Sequence, residues 1–155
     1  MFRIQFDELI ETPDPEVLAR LEPIVEHACS RFDLPDPVHV IITTDNRMQQ
    51  LNSDFRNKKE TTDVLSFDLG GDEFAFPEED EKPAQAEIYV SVERARVQGE
   101  AQGISLVDEA SRLVAHGLLH LAGYDHDTPS ALREMESETE KILRCSEPTD
   151  STSHL

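Results

Sequence analysis

Apolar and polar residues alternate at the start of the chain, with Phe2, Ile4 and Phe6 on one side. The period then lengthens to three and four residues through Val17, Leu18, Leu21, Ile24, Val25 and Ala28. A short strand followed by an amphipathic helix to about Arg31 is the expected result. Asp14-Pro15-Glu16 marks the helix start, with a capping acid, a proline at the first helical position and an acid at the positive end of the dipole. Pro23 lacks a backbone donor and clashes with the preceding turn, so a kink or a restart is expected there.

Val38-His39-Val40-Ile41-Ile42-Thr43 is β-branched and short, as a buried strand would be. A single histidine within such a strand is assigned no role. Asp45 is expected to cap a helix through Met48, Leu51 and Asn52 to about Phe55. Thr62-Asp63-Val64-Leu65-Ser66-Phe67 and Ala86-Glu87-Ile88-Tyr89-Val90-Ser91 read as two further strands, Ile88 and Val90 sharing one face and Glu87 and Tyr89 the other. Between them, residues 69–85 are rich in glycine, proline and acids without a period, and their carboxylates lack the spacing of a calcium loop. A helix from Val92 to Gln102 should end at Gly103. Ser105-Leu106-Val107-Asp108 resembles a capping box that opens the next, which has Leu106, Leu113, Val114, Leu118 and Leu121 for the core. Thr128-Pro129 opens a last helix containing Leu132, Met135, Ile142 and Leu143. It ends near Cys145, and residues 146–155 have the composition of a disordered tail.

A chain of 155 residues suits one domain, here residues 1–145, with a sizeable core. Asp and Glu outnumber Lys and Arg by 33 to 14, a formal charge of −19. Such a surface repels nucleic acid at long range, so a polyanionic substrate needs a local basic patch. The one concentrated positive run is Arg56-Asn57-Lys58-Lys59. Arg56 can bind a phosphate through a planar fork, with Lys58 as a softer point charge. No basic start precedes an apolar run, and no segment approaches a membrane span, so a cytoplasmic protein is expected. Cys29 and Cys145 form no C-x-x-C motif and read as ordinary reduced thiols.

The densest chemistry lies in His116-Gly117-Leu118-Leu119-His120-Leu121-Ala122-Gly123-Tyr124-Asp125-His126. On a helix, residues four apart are separated by about 40° and ~6 Å, so His116 and His120 share a face. Gly123 can adopt the left-handed conformation that ends a helix and turns the chain, bringing His126 back toward them. Three neutral imidazoles with an open position form the ligand set of a catalytic zinc, and zinc is the best match for them. They leave the ion's double charge uncompensated, which favours ionisation of a water and polarises a substrate oxygen. Asp125 either orients His126 or caps the turn. The spacing resembles H-E-x-x-H-x-x-G-x-x-H of metzincin peptidases, but the position of their general base is Gly117. Glycine within a helix costs about 1 kcal/mol relative to alanine, so close approach of another backbone or of substrate is expected there.

Three stretches together resemble the YbeY family of bacterial rRNA-maturation endoribonucleases: Leu51-Asn52-x-x-Phe55-Arg56-x-Lys58, Thr62-Asp63-Val64-Leu65-Ser66-Phe67, and the histidine segment itself. The resemblance spans about residues 38–143. It implies a single-domain α+β or α/β fold, a small mixed sheet of about four strands packed by helices with a zincin-like metal site. It implies one zinc held by His116, His120 and His126, catalysis involving His116 and Arg56, and substrate binding by Arg56 and Lys58. The implied activity is cleavage of single-stranded RNA in 16S rRNA 3′-end maturation and ribosome quality control, with the ribosome or small-subunit assembly proteins as partners. Where the family has Gly-Asp before its strand, this chain has Ala86-Glu87. The alternatives are a non-peptidase metallohydrolase of another substrate and a ribosome-assembly factor whose zinc is mainly structural.

Overall fold

The computed structural model describes residues 2–11, 13–56, 64–68, 85–124 and 127–146, with the backbone alone at 54–56 and 68. Four strands, β1 (Phe2–Phe6), β2 (Val38–Thr43), β3 (Val64–Asp68) and β4 (Ala86–Ser91), form one sheet in the order β1-β2-β4-β3. β1 and β4 both run parallel to β2, while β3 pairs antiparallel with β4 at the edge, Ser66 opposite Ile88. The sheet is therefore mixed and four-stranded, as expected. The third strand runs over 64–68 rather than 62–67; Thr62 and Asp63 lie outside the described residues.

Five helices cover the sheet: α1 (Pro15–Arg31), α2 (Asp45–Arg56), α3 (Val92–Gln102), α4 (Leu106–Leu121) and α5 (Pro129–Cys145). Alternation in the strands decides which side they occupy. Val40, Ile42, Ile88 and Val90 point to a core shared with α1, α4 and α5, with Ala95 of α3 at its margin. The other sheet face carries Leu65, Phe67 and Tyr89, against which α2 packs Met48 and Leu51. There the Tyr89 hydroxyl donates to Glu87 Oε1 at 3.0 Å. Burial and then the Glu87 charge and hydrogen bond push the Tyr89 phenol up to about 12.

The local signals act largely as expected. Asp14 accepts from the Glu16 N–H at 2.9 Å, and α1 passes through Pro23 without interruption, so no restart occurs. A continuous helix is tolerated because Leu21, Ile24, Val25 and Ala28 around the proline are fully buried. The expected cap of α2 is corrected by one residue. Thr44, not Asp45, accepts from the Arg47 N–H at 3.1 Å, and its carbonyl accepts from Met48. Asp45 lies in the first turn, where its charge suits the dipole, and accepts from the Ser91 hydroxyl.

Residues 69–84 lie outside the described residues, as do 147–155. Ser146 belongs to the folded part rather than to the expected tail. It is buried, and its carbonyl accepts from Arg20 Nη1 at 3.0 Å. Both cysteines are free, and burial pushes the Cys29 thiol up. No described helix is long and apolar enough to cross a membrane.

Candidate metal centre and active site

α4 passes beneath β3 and β4, between α1, α3 and α5. Its start is capped as the sequence suggests, Ser105 accepting from the Asp108 N–H at 3.0 Å. Its end is a Schellman turn. The Gly123 N–H bonds the His120 carbonyl at 3.1 Å and the Tyr124 N–H bonds the Leu119 carbonyl at 3.0 Å, with Gly123 at φ 105°. Tyr124 then packs edge-on against Phe32, ring centroids 5.9 Å apart, which fixes the chain's exit toward α1.

Almost the whole circumference of α4 is covered. Between Glu109 and His120 every residue is buried except Arg112, His116 and His120, which are half-buried. Each is four residues from the next, so they form one open stripe that drifts by about 40° per step. The two imidazoles are thus presented together on the only part of this stretch that a solute can reach.

Gly117, between them, faces the sheet. A Cβ there would lie 2.9 Å from Ile88 Cγ2, 3.0 Å from Ser66 Oγ and 3.3 Å from Val64 Cγ2. The Ser66 hydroxyl also donates to the Gly117 carbonyl at 3.2 Å. The close approach expected at this glycine is therefore made by strand side chains, not by another backbone or a substrate. The same contact explains the missing glutamate: a side chain at 117 would collide with β3 and β4 instead of reaching the open stripe.

A metal fits the part of the donor set that is described. Two imidazoles at i and i+4 on a solvent-reached stripe, held by a helix locked to the sheet, are a preorganised half-site. Among the described residues no three His, Cys, Asp or Glu side chains converge on one point. His126 and Asp125, the expected third ligand and its orienting acid, lie outside the described residues, as does Lys58. Arg56 is the last residue of α2, which packs on the opposite sheet face but touches β3; its side chain is likewise not described.

Two features escaped the sequence reading. Ser66 is 51 residues from Gly117 in the chain, so nothing local announces their bond. Glu109 and Arg112 pair on α4, Nε to Oε1 at 3.1 Å and Nη2 to Oε2 at 2.8 Å. Their i,i+3 spacing and the 112/116/120 series were both visible signals.

Comparison with known proteins agrees with this architecture. The solution structure of a Thermotoga maritima protein superposes with a TM-score of 0.62 at 26% identity, covering 94% of this chain and 89% of that one. The endoribonuclease YbeY of Geobacillus kaustophilus is 37% identical over 147 residues, 90% of this chain and 94% of the relative. That of Bacillus licheniformis is 36% identical over 142 residues, 88% of this chain and 89% of the relative. The family model described as endoribonuclease YbeY matches residues 5–147, from the first strand through the histidine helix to the end of the last helix. With the strand order, the helix that carries His116 and His120 and this match all covering the same residues, the chain belongs to the endoribonuclease YbeY family.

Proposed function

We propose that this protein is a zinc-dependent endoribonuclease specific for single-stranded RNA, acting in the cytoplasm on the 3′ end of 16S rRNA and in ribosome quality control. Its partners on this reading are rRNA and the ribosome or small-subunit assembly proteins. The observation that carries the reading is the open stripe of α4, where His116 and His120 stand with Arg112 on a stretch otherwise buried from Glu109 to His120. His126 completes the proposed ligand set beyond the Schellman turn, with Asp125 orienting it.

When bound, zinc supplies Lewis acidity and a concentrated positive charge beside the scissile phosphate. The protein's own residues do the rest. Ser66 and the packed Gly117 hold the helix against β3, so that both imidazoles keep their direction. Arg56 donates to non-bridging phosphate oxygens as negative charge develops there, and Lys58 adds local positive potential in a chain of charge −19. Gly117 weighs against peptide hydrolysis, because the collision with Ile88 and Ser66 leaves no room for a helix glutamate as general base.

One preparation tests the proposal in three assays: zinc content by elemental analysis, cleavage of single-stranded RNA with and without chelator, and the same measurements on Arg56→Ala. Chelation should abolish cleavage. Arg56→Ala should keep its zinc and lose on the order of 10²-fold in kcat. Full activity of the zinc-free protein would overturn the metal-dependent mechanism. Products ending in a 2′,3′-cyclic phosphate would identify the 2′-hydroxyl, rather than water, as nucleophile.

A further inference from the structure

We propose that Arg112 is a second RNA-contacting residue, a guanidinium held by Glu109 on the same open stripe as His116 and His120, where it binds a phosphate flanking the cleaved bond. This rests on the endoribonuclease reading above and adds to it a track for the substrate along α4.

Arg112 is the only residue besides the two histidines that breaks the buried surface of α4 between Glu109 and His120. Its side chain is 33% exposed, while that of Glu109 is 0% exposed. The carboxylate grips the guanidinium through Nε and Nη2, so the arginine has already lost most of its rotamer freedom before any ligand arrives. Among the described residues those bonds leave Nη1 with both of its N–H donors. A buried carboxylate needs a cation, but a lysine one turn away would serve that need alone. A guanidinium satisfies Glu109 along one edge and still presents donors along the other. In a chain of net charge −19 a fixed, directional donor beside the proposed centre is worth more than a diffuse charge.

Position sets its role. Helical side chains all lean toward the N-terminus, so the Arg112 guanidinium and the His116 imidazole are displaced together and stay about 6 Å apart along the axis. That is too far to touch the reacting phosphate and suits a neighbouring nucleotide. Arg112 therefore acts in binding, and its loss should appear in KM rather than in kcat.

The test uses the zinc-loaded protein and the double variant Glu109→Gln/Arg112→Met, which removes the pair without stranding a buried charge. Binding of a fluorescent 2′-O-methyl oligouridylate is measured by anisotropy over a salt series, and cleavage of the unmodified RNA gives KM and kcat. Affinity should fall on the order of fivefold, and the slope of log affinity against log salt should become shallower by about 0.7, one phosphate contact on a single strand. Zinc content and thermal midpoint serve as controls. Arg112→Lys, whose ammonium is taken up by Glu109, should show the same shallow slope as the double variant, and it carries the test alone if the double variant does not fold. Unchanged affinity and slope in the folded double variant, or an Arg112→Lys slope as steep as the parent's, would make the pair a packing device only. A parent protein that binds no RNA would overturn the endoribonuclease reading itself, and Arg112 with it.

Discussion

Gly117 is the residue at which packing and chemistry meet. Replacing it by alanine should add about 1 kcal/mol of helix propensity but force a methyl group to within 2.9 Å of Ile88 Cγ2 on a strand paired on both sides. Overpacking of this kind costs about 1–3 kcal/mol, so Gly117→Ala should be destabilised by about 1 kcal/mol net in urea unfolding. On the proposed reading it should also bind zinc more weakly, because α4 is pushed off β3 between the two proposed ligands. Equal stability and equal zinc affinity would show that the strands yield. Gly123→Ala tests the other special glycine. With φ at 105° and open space around it, the penalty is conformational rather than steric, about 1–2 kcal/mol. Tyr89 gives a pH-dependent counterpart. Its folded pKa, about 12, lies above the ordinary 10.0, so the folded protein keeps the phenol proton longer. The stability this provides is complete below pH 10 and is lost as pH rises toward 12. Urea titrations across that window should show a shallower decline for Tyr89→Phe.

At the scale of elements, helix caps tie sequence to position. Ser105→Ala should cost about 1 kcal/mol, since it strips the cap from α4, and Thr128→Ala a similar amount at α5. Thermal unfolding of each variant measures this directly. Such signals were legible because they are local: Asp14, Ser105, Gly103 and Gly123 each act within a few residues of themselves. Asp45 misled because Asp and Thr are both good caps and stand next to each other, and choosing Thr44 requires knowing that Asp45 is engaged by Ser91. The place of β3 at the sheet edge was not legible from its own residues, because strand order is set by pairings with β4 across 18 to 26 residues. Likewise, the i,i+4 spacing put His116 and His120 on one face, but only tertiary packing decides that this face is the open one. The contact of Ser66 with Gly117 and the exposure of Arg112 belong to that same non-local layer.

For the whole molecule, the main consequence of α4 is kinetic. Its backbone is enclosed by the sheet and three helices, so its amide protons cannot reach solvent by fraying or by a hinge within the helix. Amide exchange at 113–119 should proceed only through global unfolding and should be the slowest in the chain, whereas α3, with Val97 at 61% exposure, should exchange by local opening. Faster exchange at 113–119 than in α3 would contradict this. An ion arriving at His116 and His120 therefore meets a scaffold that is already built. Loading of the proposed zinc would then be a docking event on a standing surface, which a folded chain could undergo many times within a single folded lifetime.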